Sequence, residues 1–184
     1  MYPALEPASD CPLCPRLKIF RDTQRHEHPE WFNSPVPSFG DAEARLLIIG
    51  LAPGLRGANR TGRPFTGDFA GELLYGTLKK FGFAAGDYSA DPADGLVLND
   101  CMITNAVRCV PPENKPLPLE IKTCNQFLAA QISALPRLTA LITLGRIAHE
   151  ATLAALNARR SDYQFSHGCR HQVGLLAVFN SYHC

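Results

Sequence analysis

Residues 45–75 read RLLIIGLAPGLRGANRTGRPFTGDFAGELLY. A branched apolar run enters a long loop rich in Gly, Asn, Arg and Thr, which then passes into a helical pattern. Such a loop is costly to order, so its residue types point to something it holds. Pro53 and Gly54 force a turn that exposes backbone amides. Phe65 stands between Pro64 and Thr66, in a polar loop where no core needs it. An aromatic ring placed there can stack on a planar ligand such as a base. Arg56, Arg60 and Arg63 supply phosphate contacts nearby. The loop is not a nucleotide phosphate loop, since it has neither G-x-x-x-x-G-K-[ST] nor G-x-G-x-x-G.

Cysteines form the second chemical group. The chain has seven, and in a reducing compartment such a count favours metal binding or catalysis over disulfides. Cys11 and Cys14 form CPLC, which alone fits a redox pair, a zinc half-site or chance. No strand precedes it, as a thioredoxin-like site would need, and no second C-x-x-C completes a zinc ribbon. Cys109 follows a predicted strand and Cys124 lies on the next predicted helix. Four thiolates suit a 4Fe–4S cluster or an all-cysteine zinc site, and spacing does not choose between them. Cys101 reads as a small buried apolar residue, whereas Cys169 and Cys184 have no assigned partner.

These groups need a scaffold. The pattern predicts strands over 45–50, 100–107 and 138–145, and a fourth in GLLAVFNSYH. Weak helical character covers 14–28. Helices are predicted over 69–81 with Asp68 as cap, from near Leu117 through the Cys124 segment, and over 146–158. Alternation of strand and helix implies an α/β fold, a three-layer αβα arrangement around a mostly parallel four-stranded sheet. Ligands of such sheets sit beyond the carboxyl ends of the strands. The segments GLAPG, TNAVRC and NSYHC all follow strands and should gather there. With 184 residues, 46% hydrophobic and 19% charged, the chain reads as one globular domain, 1–184. A formal charge of +1 leaves any nucleic-acid contact to a local basic patch. No long apolar run or signal pattern occurs, so a cytoplasmic monomer is expected. The chain stops directly after a predicted strand, and truncation at the C-terminus is expected.

GLAPG followed by GANRTGRPFTGD resembles the first motif of uracil-DNA glycosylases, most closely the family 5, B-type branch. ITNAVRCVPPENKP and NSYH resemble two further motifs of that group, in the same order. The resemblance implies a repair enzyme that flips uracil out of DNA and hydrolyses its glycosidic bond; no lysine lies in the first or last motif, so no Schiff-base lyase step is expected. It implies stacking by Phe65, edge recognition by Asn105 and a hydrogen bond from His183 to a base carbonyl as charge builds. Backbone amides at Gly50, Leu51 and Ala52 would add to that stabilisation. Relatives that carry a polar residue in the first motif have it where this chain has Leu51 and Ala52, a mark of family 5. Asp68 is then the candidate for polarising water, and also an apt helix cap. A broader base range, including hypoxanthine or modified uracils, is expected. The resemblance also implies a 4Fe–4S cluster on Cys11, Cys14, Cys109 and Cys124. Arg108 and Lys115, beside the Pro-rich loop it would tie down, are expected on the DNA backbone. Arg159, Arg160, Arg170 and His171 extend a basic stripe. Rival readings are a non-catalytic iron–sulfur damage sensor of the same fold and a nucleotide-binding α/β enzyme.

Overall fold

The computed structural model describes residues 5–67 and 69–183. Helix α1 (Pro15–Glu27) is followed by the short strand β1 (Phe39–Gly40) and by β2 (Leu46–Gly50). The Gly-rich segment contains a single helical turn, α2 (Ala58–Thr61), and leads to α3 (Phe69–Lys80). A small hairpin, β3 (Ala84–Ala85) with β4 (Val97–Leu98), precedes β5 (Cys101–Asn105). Then come α4 (Pro118–Ala134), β6 (Ala140–Leu144), α5 (Arg146–Ala155), β7 (Arg170–Val173) and β8 (Leu176–Ser181).

The main sheet runs β1-β5-β2-β6-β8-β7. Its four central strands are parallel, as the sequence pattern predicts. Two short antiparallel strands, β1 and β7, extend the edges. They escaped prediction because β1 has only two residues and β7, RHQV, lacks apolar alternation. β2 is buried at every position, as expected for a strand covered on both faces. Its alternation sorts the core into two layers. Leu47 and Ile49 face Leu128, Ile132, Ala148 and Leu153 of α4 and α5. Leu46 and Ile48 face Leu74, Tyr75 and Leu78 of α3. The three layers are thus set by one strand's two faces.

Helix ends follow local chemistry. Pro118 opens α4 where its missing N–H costs nothing. The Glu120 carboxylate accepts a hydrogen bond from the Leu117 N–H at 2.7 Å and fixes that turn. Strand order reverses around β2, which has β5 on one side and β6 on the other. That reversal is where open α/β sheets leave a crevice.

Candidate active site

Three strand ends build one small cavity at this crevice. Leu51, Ala52, Pro53 and Gly54 follow β2; Asn105 ends β5; His183 lies two residues past β8. Ala58, Phe65 and Thr66 close the cavity from the Gly-rich loop. The loops after β2 and β5 are zipped together. The Ala106 N–H donates to the Gly50 carbonyl and the Val107 N–H to the Leu51 carbonyl, both at 2.9 Å. Gly50 is required by close approach. A Cβ there would lie 2.4 Å from Asn105 Oδ1 and 2.6 Å from Phe65 Cζ. The missing side chain lets amide and ring converge on the floor. The Phe65 and His183 rings face each other with centroids 6.1 Å apart and planes inclined by 26°. Phe65 and Asn105 are buried, while His183 is exposed at the rim.

Phe65 holds φ at +54°, a left-handed conformation that costs a bulky residue on the order of 1–3 kcal/mol. Surrounding contacts impose it. The Tyr75 hydroxyl donates to the Pro64 carbonyl at 2.6 Å, and Tyr88 donates to the Phe65 carbonyl at 3.3 Å. Gly71 lets α3 approach, since a Cβ there would meet the Phe65 carbonyl oxygen at 2.2 Å. The other end of the loop is pinned to the segment after α1. Asn59 Nδ2 donates to Asn33 Oδ1 at 2.8 Å, and Asn33 Nδ2 donates to the His28 carbonyl at 2.7 Å.

The four cysteines border a second cavity with Leu17, Arg21, Val107, Arg108 and Phe127. Cys14 precedes the first turn of α1, Cys109 follows β5 and Cys124 lies on α4. Among the described residues no group of three or more His, Cys, Asp or Glu side chains is arranged to hold a metal ion. Burial pushes the Cys14 thiol up to about 11 and the Cys124 thiol up to about 12, and raises Cys109 as well. Two arginines oppose that trend. Arg21 Nη1 donates to Cys109 Sγ at 3.3 Å, and the Arg108 N–H donates to Cys124 Sγ at 3.4 Å. Arg21 Nε, Arg108 Nε and Arg108 Nη2 are buried with no hydrogen-bond partner among the described residues. The Arg21 guanidinium, bonded to Cys109 Sγ and with its Nε orphaned, fits an anionic occupant with thiolate ligands. Cys101 sits apart in β5, fully buried, its thiol pushed up to about 12 by burial.

The model of the uracil DNA glycosylase superfamily matches residues 37–184. A type-5 uracil-DNA glycosylase of Thermus thermophilus is 43% identical over 180 residues, covering 94% of this chain and 81% of that protein. The chain belongs to this superfamily, in its type-5 branch. Type-5 enzymes of Pyrobaculum aerophilum and Mycobacterium bovis are 37% and 39% identical, each over 95% of this chain and over 77% and 69% of their own lengths. A type-4 enzyme of Archaeoglobus fulgidus is 35% identical over 61% of the chain and 49% of its own length.

Within this type-5 chain, the expected base-binding residues Gly50, Leu51, Ala52, Phe65 and Asn105 meet His183 around one cavity. Asp68 lies outside the described residues. Arg56, Arg60 and Lys115 are exposed. Two basic residues expected on DNA are internal instead. Arg63 is 3% exposed and makes a bidentate pair with Asp94, at 2.8 and 2.7 Å. Arg108 is 1% exposed, 3.0 Å from the Glu6 carboxylate and 2.9 Å from Ser38 Oγ. Neither guanidinium can reach a phosphate from there. Sequence does not reveal this burial, because the partners lie 31 and 102 positions away. Asp94, Tyr75, Tyr88, Asn33 and Arg21 were also missed, and no local motif marks them.

Proposed function

We propose that this chain removes uracil from DNA by hydrolysing its N-glycosidic bond, the first step of base excision repair. The observation that carries this reading is the convergence of Phe65, Asn105 and His183 on a floor kept open by Gly50. A flipped base would stack on the Phe65 ring. The Asn105 amide offers a donor and an acceptor to its polar edge. His183, at the rim, donates to a base carbonyl as negative charge develops on the leaving group. Stabilising that charge is the main task, since the sugar passes through an oxocarbenium-like state.

Among the described residues no carboxylate lines the cavity, and the positions after Gly50 are the apolar Leu51 and Ala52. Water activation is therefore assigned to Asp68, or is weak, with catalysis resting on leaving-group stabilisation. A pocket of this kind reads base shape and carbonyl pattern, so hypoxanthine and modified uracils are proposed as further substrates. Arg56, Arg60 and Lys115 would hold the DNA backbone. Cys11, Cys14, Cys109 and Cys124 would hold a 4Fe–4S cluster, which spreads its ligands around a core wider than one ion. When bound, that group would tie the N-terminal segment to the Pro-rich loop after β5.

The test is base release. Oligonucleotides with a single uracil, a hypoxanthine or only normal bases are incubated with the protein and then treated with alkali, which cuts abasic sites. Cleavage confined to the first two supports the proposal. Uracil-selective binding without any cleavage would replace it with a damage-sensing role.

A further inference from the structure

Arg63 is buried and paired with Asp94, two residues from the ring proposed to stack on the base. Its guanidinium carbon sits 5.4 Å from the Phe39 ring centre and 5.5 Å from those of Tyr75 and Tyr88. Asp94 closes this cage from the hairpin loop between β3 and β4. Its carboxylate also accepts hydrogen bonds from the Ser89 and Leu96 N–H groups, each at 2.9 Å. Tyr75 and Tyr88 stack on one another, with centroids 4.8 Å apart. Both tyrosines then turn their hydroxyls onto the carbonyls of Pro64 and Phe65. One ion pair thus orders the loop carrying Tyr88 and the loop carrying Phe65 together.

We propose that Asp94, Arg63 and Tyr88 are positioning residues that hold Phe65 in its left-handed conformation and so set the stacking face of the base pocket. The proposal rests on the reading of Phe65 as the stacking residue. Its physical basis is that a Phe at φ +54° relaxes to an ordinary conformation unless its flanks are held. Pro64 limits the preceding residue, and the tyrosine hydroxyls fix the two carbonyls between which the ring projects. Such a device acts on geometry and never touches substrate. It makes the 84–98 excursion, remote in sequence, part of the specificity apparatus.

The experiment is a mutant cycle. Asp94→Asn weakens the ion pair, and Tyr88→Phe keeps the aromatic cage but removes one hydroxyl. Each is made in the normal chain and in Phe65→Ala. Single-turnover excision from a single-uracil oligonucleotide and inhibition by free uracil are measured, with thermal unfolding alongside. The expected result is a fall of about tenfold in excision, and weaker inhibition by uracil, for each anchor variant in the normal chain. In the Phe65→Ala background the same changes should alter excision by less than about twofold, because there is no ring left to place. Equal losses in both backgrounds would show a purely structural role and overturn the proposal. So would normal excision by both anchor variants while Phe65→Ala is impaired. Normal excision by Phe65→Ala itself would sink the stacking assignment and this inference with it. Tyr88→Phe keeps the test decisive where Asp94→Asn fails to fold.

Discussion

Gly50→Ala is the sharpest perturbation of the site, because one added carbon meets two proposed base-contacting groups. The new Cβ would lie 2.4 Å from Asn105 Oδ1 and 2.6 Å from Phe65 Cζ. Ordinary contact begins near 3.4 Å. One group or both must therefore retreat by about 1 Å, and the room open to them is the base cavity that both line. Misplacement of about 1 Å at a reacting centre costs about 10²-fold in rate. Overpacking of this kind costs about 1–3 kcal/mol in stability. The assay is single-turnover release of uracil from an oligonucleotide, read by alkaline strand cleavage. Gly76→Ala is the matched control. Gly76 lies in α3 with nothing within 4 Å of an added Cβ, so it should keep full activity and gain about 0.5–1 kcal/mol from helix propensity. Excision by Gly50→Ala within twofold of the unmodified chain would refute the idea that Asn105 and Phe65 jointly define the base pocket.

Further outcomes are expected. His183→Ala should slow excision by about 10²–10³-fold with little change in DNA affinity, since it removes a donor that acts as charge develops; a fall in affinity alone would reassign it. Arg60→Ala should weaken binding to all DNA sequences alike and lower the slope of log K against log salt by about 1, whereas Arg63→Ala should leave the slope unchanged and destabilise the fold by about 3–5 kcal/mol. If the proposed 4Fe–4S cluster sits on the four cysteines, Cys109→Ser should abolish its brown absorbance and lower the melting temperature; a coloured, stable variant would remove Cys109 from the proposed ligand set. The Arg63 guanidinium beside Asp94 holds its carboxyl well below the usual carboxylate range. The folded pKa is below the unfolded one, so this stabilisation is complete above about pH 4 and is lost as pH falls further. Urea unfolding at pH 3 and pH 6 should show a smaller difference for Asp94→Asn than for the unmodified chain.

How far the sequence reaches can be judged residue by residue. The four central strands were legible because each is a short, nearly continuous apolar run, the signature of a strand covered on both faces. The short edge strands β1 and β7 were not, since edges carry little apolar pattern. Gly50, Asn105 and His183 could be placed together because strand ends of a parallel sheet gather at one edge; Phe65, 15 positions past β2, stood out only as an aromatic in a polar loop and by the family resemblance. The cysteines were legible by type, and folding brings all four around one cavity.

Charge was not legible. A guanidinium in a glycine-rich loop has the same letters whether it faces phosphate or the interior. Arg56 and Arg60 are exposed, while Arg63, three positions on, is buried against Asp94. The difference lies in a carboxylate and three aromatic rings drawn from distant segments, which compensate a charge that burial would otherwise forbid. Sequence alone determined the four central strands of the sheet, the order of the motifs and the residue types at the pocket, because those depend on local periodicity and on topology. Only the tertiary structure decided which cations remain available to DNA and what holds Phe65 in its strained conformation, because both depend on contacts between segments that no local pattern encodes.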